Sequence, residues 1–321
     1  MIRWISRFLL FLLLLPYAGL SPAQTPEQSK RPTPTFADFS YGSDSERQRL
    51  DFWQARADGP APVVVLIHGG AWKAGDKTYF DSAAIEPFLA AGVSVAAVNY
   101  RLISQAMEQK IEPPVKASLR DAARALQTIR SKAKEWNLDP RRIGAMGVSA
   151  GACTSLWLAL HDDLADPKSS DPIARESTRL TCAGGNGAQT SLDPEEVRKW
   201  MPNSIYGGHA FGFAAPGRSR AEEFELLIPN REKLLPWIKE YSPITHVTSD
   251  DPPLYFDYPN QKAPPVMGQN EPDPTHSAMH GIKLAEKYRA LGLEAVVSYP
   301  GQLDQKYGTL TKFMIVKLTA R

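Results

Sequence analysis

Two runs rich in β-branched residues, apolar at every position except Ser94, constrain the fold of this chain more than any other feature. They are PVVVLI at 62–67 and VSVAAV at 93–98. A strand with one solvated face alternates apolar and polar residues, whereas a strand covered on both faces is apolar throughout. We therefore expect both runs to be central strands of a sheet with helices packed on each side.

Segments with helical spacing alternate with these strands. Residues 115–137 carry apolar side chains at every third or fourth position, and Asp139-Pro140 is expected to end that helix. A short strand, RIGAMG at 142–147, and a helix from about 151 to 162 follow. The alternation predicts an α/β fold, a mostly parallel sheet with helices on both faces.

A long stretch rich in Pro, Gly and aromatic residues interrupts the alternation at 164–240. Stretches of this length inside a compact fold usually cover an active site or are loosely ordered. We interpret residues from about 185 to 241 as a small cap inserted into one domain, which spans 36–321. The other predicted elements are strands near 36–41, 48–54, 179–184, 254–258 and 293–299, and helices near 192–200, 219–240, 276–291 and 308–318.

The first 23 residues have the pattern of a secretory signal peptide. Arg3 and Arg7 precede the apolar run Phe8 to Leu15, and Ser21-Pro22-Ala23 supplies the small residues that a signal peptidase needs. The run is shorter than the ~20 residues that span a bilayer, so no stable membrane span is expected after cleavage. The sequence predicts a periplasmic or secreted protein with a flexible lead-in at 24–35.

Charge and cysteine content indicate which kinds of ligand and cross-link to expect. The full chain has 37 Lys and Arg against 35 Asp and Glu, and loss of Arg3 and Arg7 with the signal peptide would make the two equal. No basic stripe with interleaved aromatic residues is visible, which argues against nucleic-acid binding. Cys153 and Cys182 lack metal-ligand spacing, and in an exported protein they form either one disulfide or two buried thiols.

The motif GVSAG at 147–151 stands at the junction between a predicted strand and the helix that follows it. In a G-x-S-x-G motif at such a junction, the serine occupies a strained turn and projects its hydroxyl above the sheet. The glycines two positions before and after Ser149 leave room for neighbouring backbone. The motif indicates Ser149 as a catalytic nucleophile.

A second motif, HGGAW at 68–72, directly follows the apolar strand at 62–67. Acyl transfer builds negative charge on a carbonyl oxygen, and fixed backbone N–H groups stabilise that charge. Two adjacent glycines leave such N–H groups unobstructed. Gly69 and Gly70, together with Ala150 after the nucleophile, are therefore candidates for an oxyanion hole.

Together, the two motifs resemble the α/β-hydrolase superfamily, in the branch of HGG-type esterases and lipases that includes hormone-sensitive-lipase-like and feruloyl-esterase-like enzymes. Other stretches share the resemblance: VNYRL at 98–102, DAARALQTIR at 121–130, DPRRIGAMGVSAGA at 139–152 and SPITHVTSDDPPLYF at 242–256. The resemblance covers roughly residues 45–320. It implies the α/β-hydrolase fold and ester hydrolysis, but it does not specify a substrate.

The resemblance implies a triad in the chain order serine, acid, histidine. The acid is expected in the loop after the strand near 254–258, and this loop ends in EPDPTHS. Asp273, followed by Pro274, best matches the Asp-Pro of the family. Asp257 and Glu271 are the competing carboxylates.

The histidine of the triad is expected in the loop after the last strand, but that loop, QLDQKYG at 302–308, contains none. Tyr307 stands close to where the family places its base, and a tyrosine with an unperturbed pKa near 10 is a poor base at neutral pH. Two histidines elsewhere are candidate bases: His276, three residues beyond Asp273, and His209, in YGGHAFG within the predicted cap.

Two functions are compatible with these motifs. The first is an exported serine carboxylesterase acting on small or carbohydrate-linked esters, with Ser149 as nucleophile and Asp273 orienting the base. The second is a catalytically silent hydrolase-fold protein that binds a ligand or partner in the former active-site cleft. The absence of a histidine at the position near Tyr307 favours this second function. Neither function implies a metal or an organic cofactor.

Overall fold

The structure, a computed structural model, describes residues 31–320. Its strands are β1 (Phe36–Ser40), β2 (Arg49–Trp53), β3 (Ala61–Ile67), β4 (Ser94–Val98), β5 (Leu138–Val148), β6 (Cys182–Asn186), β7 (Leu254–Asp257) and β8 (Ala295–Ser298). They form one sheet in the order β1-β2-β4-β3-β5-β6-β7-β8. β1 and β2 join it antiparallel, and the pairs from β4 through β8 are parallel. The predicted fold class is confirmed.

The α-helices of this part of the chain are α1 (Ser82–Ala90), α2 (Ile103–Glu108), α3 (Val115–Ser131), α4 (Ala150–Leu160), α5 (Pro194–Trp200), α6 (Arg220–Tyr241), α7 (Met279–Ala290) and α8 (Leu310–Thr319). Between residues 31 and 320, none of them combines the length and the apolar character needed to cross a bilayer.

Two apolar layers separate the sheet from its helices. α1 and α8 cover one face, where Val64 packs in the same cluster as Phe313. α3, α4, α6 and α7 cover the other face, where Val65 packs with Leu126 and Leu156. Because successive side chains of a strand point to opposite faces, a strand between two helical layers must be apolar at every position. This geometry explains the uninterrupted run at 62–67.

Three differences from the sequence-based expectation concern the ends of α3, β6 and α7. α3 ends at Ser131, and Asp139-Pro140 lies inside β5 instead of ending the helix. β6 is shifted towards the C-terminus, so that Asn186 pairs with Val148 at the edge of the sheet. α7 begins three residues later than predicted, which leaves His276 in a short 3-10 helix before it. The sequence-based prediction placed β6 too early because CAGGN is a weak strand-forming sequence. This segment becomes a strand through pairing with its neighbours.

The N-terminal predictions fall largely outside the described residues. The signal peptide at 1–23 lies outside them, and so do residues 24–30 of the lead-in. Residues 31–35 contact the remainder of the domain. Arg31 Nε donates to Phe80 O at 2.8 Å, and Pro32 O accepts from Trp53 Nε1 at 2.8 Å.

The segment between β6 and β7 contains α5, α6 and two short 3-10 helices. Leu192, Trp200 and Phe224 of this segment are buried in the same apolar layer as Leu156 of α4. The segment therefore packs on the same face of the sheet as α4. Its interpretation as a cap over about 185–241 stays a prediction.

Both cysteines are free and buried. Cys153 belongs to the apolar layer that contains α4, and Cys182 belongs to the layer that contains α8. The sheet separates the two thiols, so the structure has two buried thiols and no disulfide between them. Burial raises the pKa of both, that of Cys182 to about 12.

The start of α4 crosses the end of β3 at main-chain contact. A Cβ added to Gly151 would lie 2.0 Å from Ile67 O and 2.5 Å from His68 O. A Cβ added to Gly147 would lie 2.4 Å from the carbonyl carbon of Gly151. The glycines of GVSAG are therefore required by the crossing of these elements.

We expect Gly151→Ala to lower the free energy of unfolding by at least ~3 kcal/mol, the upper end of overpacking costs, because main chain must move to accept the methyl group. Gly59→Ala is the matched control, since its Cβ would have no atom within 4 Å. Urea unfolding followed by circular dichroism measures both variants. Equal unfolding midpoints for the two variants would contradict the steric explanation.

Candidate active site

Ser149 occupies a strained turn between β5 and α4. Its φ is 53° and its ψ is −119°, a combination that costs a non-glycine residue about 1–3 kcal/mol and persists only where the surroundings impose it. Ser149 N donates to Asn186 O at 2.8 Å, and Ser149 O accepts from Cys153 N at 2.9 Å. The turn holds the serine side chain at the carboxyl edge of the parallel strands.

His276 contacts Ser149 directly. Its Nε2 lies 2.9 Å from Ser149 Oγ, and its Nδ1 lies 2.7 Å from Asp273 Oδ2. Because a carboxylate only accepts hydrogen bonds, the neutral imidazole carries its proton on Nδ1 and leaves Nε2 to accept from the serine hydroxyl. The structure thus brings Ser149, His276 and Asp273 into one hydrogen-bonded chain.

Asp273 and His276 lie in the same turn, which follows β7. Asp273 precedes the 3-10 helix Pro274–His276 and accepts from His276 N at 3.3 Å as well as from the ring. The chain order serine, carboxylate, histidine is the predicted one. The histidine, however, comes from the loop after β7, the same loop as Asp273, and not from the loop after β8.

Two residues that the sequence analysis did not single out support this turn. Gly187 has a φ of +60°, and a Cβ on it would lie 3.0 Å from His276 Cδ2. Gln189 Nε2 donates to Gly187 O at 2.8 Å and to Thr275 O at 2.7 Å. The GGNG run at 184–187 was the available signal, because glycine at the end of a strand often marks a close approach of other groups.

The glycine pair after β3 lies against the nucleophile. A Cβ on Gly69 would be 3.3 Å from Ser149 Cβ and 2.7 Å from Val148 O. Gly70 has a φ of +103°, which favours glycine. Ala150 is the first residue of α4, where a helix leaves main-chain N–H groups without intrahelical partners. Gly69, Gly70 and Ala150 therefore stand at the same edge as Ser149, with N–H groups that suit an oxyanion.

The side chains that flank the glycine pair fix its loop. The His68 ring stacks on Tyr100 with centroids 4.3 Å apart, and its Nδ1 lies 2.8 Å from Gly69 O. Burial lowers the pKa of His68 to about 4, so this ring is neutral at pH 7. Trp72 is buried and donates from Nε1 to Thr154 Oγ1 at 3.0 Å. Both rings anchor the loop to its surroundings.

Tyr307 does not lie beside Ser149, and the structure corrects that expectation. Its hydroxyl donates to Glu294 Oε1 at 2.8 Å, and its ring packs edge-on against Phe313 of α8. Glu294 precedes β8 and so lies at the amino edge of the parallel strands, opposite the edge that carries Ser149. Burial raises the pKa of Glu294, but hydrogen bonds from Lys306, Lys317 and Tyr307 lower it to about 2.

His209 is buried away from the serine–histidine contact. Its ring packs against Trp72 and Tyr206, and its Nδ1 lies 3.6 Å from Glu223 Oε2. Burial lowers the pKa of His209. Among residues 31–320, the histidine bonded to Ser149 is His276.

The competing carboxylates also have other surroundings. Asp257 O accepts from Gly187 N at 2.8 Å, and burial raises the pKa of the Asp257 carboxyl. Glu271 Oε2 accepts from Gln261 Nε2 at 2.9 Å. Within residues 31–320, the carboxylate bonded to the His276 ring is that of Asp273.

Comparison with known proteins agrees with the observed fold: the chain is an α/β-hydrolase of the esterase and lipase type. Residues 50–257 match the BD-FAE family, so the chain belongs to that family.

Individual relatives are distant. A probable carboxylic ester hydrolase, LipM, of Mycobacterium tuberculosis (strain ATCC 25618 / H37Rv) is 26% identical over 68% of this chain and 46% of LipM. The chain spans less than half the length of the curated relatives it matches. A truncated carbohydrate esterase from gut microbiota shares the fold, with a TM-score of 0.64 at 20% identity over 92% of this chain and 100% of that chain. Native Est2, a thermophilic esterase of Thermogutta terrifontis, gives a TM-score of 0.59 at 20% identity over 90% and 91% of the two chains.

Proposed function

We propose that the chain is a serine carboxylesterase with Ser149 as nucleophile, His276 as general base and Asp273 as the group that orients the base. The observation that carries the proposal is the contact of 2.9 Å between Ser149 Oγ and His276 Nε2, on a serine held at a φ of 53°. A nucleophile and base within hydrogen-bond reach, with the base oriented by a third group, is the arrangement that activates a serine.

Each step of ester hydrolysis has a group to perform it. His276 Nε2 takes the hydroxyl proton as Ser149 Oγ attacks the ester carbonyl carbon. The N–H groups of Gly69, Gly70 and Ala150 hold the oxyanion that forms. His276 then protonates the leaving alcohol, and the same base activates the water that hydrolyses the acyl-enzyme.

The solvent exposure of Asp273 limits how much its charge contributes to turnover. Its side chain is 49% exposed, and that of His276 is 31% exposed. Water screens a charge pair at this exposure, so we assign Asp273 mainly the orientation of the ring and its tautomer. Its loss should cost less turnover than loss of the imidazole.

We propose small or carbohydrate-linked esters as substrates. A groove of about 360 Å³ beside the glycine-pair loop is lined by Lys73, Ile103, Met107 and residues 214–216. Its apolar wall suits a small acyl or alcohol group, and Lys73 offers one cation to a polar substituent. A larger groove of about 810 Å³ includes Pro62 and Asp139, at the amino edge of the strands and away from Ser149.

The silent, ligand-binding alternative rested on the absence of a base near the serine. The contact between His276 and Ser149 removes that support. The alternative remains an outcome of the experiments below.

We expect Ser149→Ala to abolish covalent labelling by a fluorophosphonate probe and to lower kcat/KM on short p-nitrophenyl esters by about 10⁴ or more, because only binding and the oxyanion hole remain. Ser131→Ala, an exposed serine on α3, is the control and should behave as the parent. A folded parent that neither reacts with the probe nor turns over ester would support the silent protein instead.

We expect His276→Ala to lower kcat/KM by roughly 10²–10⁴, the usual contribution of a general base. Asp273→Asn should cause a smaller loss, of about 10² at most, since the ring keeps its contact with Ser149. Asp58→Asn, an exposed carboxylate far from the site, is the matched control. Full activity in His276→Ala with normal circular dichroism would remove this histidine from the mechanism.

We also propose that the protein is exported and cleaved after Ala23. The support is the charged start, the short apolar run and the small residues at 21–23. We expect N-terminal sequencing of the protein purified from its cell to begin at Gln24. An intact Met1 in a cytosolic fraction would refute the proposal.

A further inference from the structure

Two histidines and a glutamate meet at the end of α4 that is remote from Ser149. His161 caps the C-terminus of α4, Glu240 lies in the last turn of α6, and His246 follows the 3-10 helix Pro243–Thr245. Twelve residues along α4 correspond to about 18 Å at 1.5 Å per residue. This group, the His161–Glu240–His246 cluster, is therefore separate from the candidate active site.

The spacing of the three side chains approaches that of a metal site. One ligand atom from each lies within 4.8 Å of the others, and His161 Nε2 is 3.2 Å from Glu240 Oε1. Tetrahedral zinc with bonds of about 2.0 Å places its ligand atoms about 3.3 Å apart. One pair already has this spacing, and a small movement of the His246 ring would complete the set.

Main-chain carbonyls orient both rings. His161 Nδ1 lies 2.9 Å from Asp162 O, and His246 Nε2 lies 2.7 Å from Glu240 O. A carbonyl only accepts hydrogen bonds, so His246 Nε2 donates, and His161 Nδ1 donates in the tautomer that leaves Nε2 available to a metal. Histidines that bind metals usually donate the other ring N–H to a carbonyl or carboxylate in this way, which fixes the tautomer.

Both ring nitrogens of His161 face acceptor oxygens. Nδ1 faces Asp162 O, and Nε2 lies 3.2 Å from Glu240 Oε1. When the ring proton is on Nδ1, a cation between Nε2 and Glu240 Oε1 would satisfy both of these atoms. Arg120 Nη2, 3.6 Å from Glu240 Oε1, is the cation now closest to this carboxylate, but its side chain is 42% exposed and has solvent to move into.

We propose that His161, Glu240 and His246 bind one divalent transition-metal ion of the zinc type, with water as the fourth ligand. Imidazole nitrogen and a carboxylate form the donor set that Zn²⁺ accepts in proteins. The ion would join the residue that caps the C-terminus of α4 to the last turn of α6 and to the chain that leads into β7. It would stabilise this junction and takes no part in ester hydrolysis.

The test is calorimetric titration of ZnCl₂ into protein dialysed against a chelator. We expect one tight site in the parent, with affinity at least ~10²-fold weaker in His161→Ala and His246→Ala. Glu240→Gln should also weaken binding, whereas Glu232→Gln, an exposed carboxylate on the same helix, should leave it unchanged. Zinc should raise the unfolding temperature of the parent and of Glu232→Gln, but not that of His161→Ala.

A further variant separates this cluster from the catalytic histidine, which could bind zinc together with Asp273. His276→Ala should keep the tight site if the proposal is correct. Loss of binding in His276→Ala alone, or a folded parent that binds no zinc in the titration, would overturn the proposal. Circular dichroism shows whether each variant folds. If a histidine variant does not fold, the conservative change Glu240→Gln tests the same site.

Discussion

The main-chain contact between the end of β3 and the start of α4 is the constraint on which the rest of the site depends. With Gly151 against Ile67 O and Gly147 against Gly151, the two elements approach as closely as backbones can. The chain that joins β5 to α4 turns at a single residue, Ser149, which adopts a positive φ. The same contact brings Gly69 beside the serine, so the proposed nucleophile and the proposed oxyanion donors are positioned together.

The base and its orienting carboxylate come from a single turn after β7. A separation of three residues lets Asp273 accept from both the backbone and the ring of His276. Gln189 ties this turn to the loop after β6. Asn186, the last residue of β6, accepts from Ser149 N. Neighbouring parallel strands β5, β6 and β7 thus supply the whole hydrogen-bonded chain. The loop after β8 is not needed for it, and Tyr307 is free to pack against α8.

The sequence predicted those features that depend on local pattern. Continuous apolar runs identified the central strands, and the glycines of GVSAG and HGGAW marked positions where a side chain would collide with backbone. The position of the base depended instead on how the lengthened loop at 258–273 folds back, which no periodicity records. The position of Tyr307 was wrongly predicted because the residue follows β8 but bonds to Glu294, which precedes β8, and no local sequence pattern indicates that contact. Gln189 gave no signal because a buried amide that joins two loops has no pattern of its own.

The same loop that holds the glycine pair is tied to α6. Lys73 Nζ donates to Glu223 Oε1 at 2.8 Å, and Glu223 is fully buried. Burial raises the pKa of Glu223, but contacts with His209 and Lys73 lower it to about 2, so the carboxylate is charged at neutral pH. Removing the partner of a buried charge is strongly unfavourable. The ion pair with Lys73 and the burial of Glu223 therefore hold α6 against the loop that carries the glycine pair.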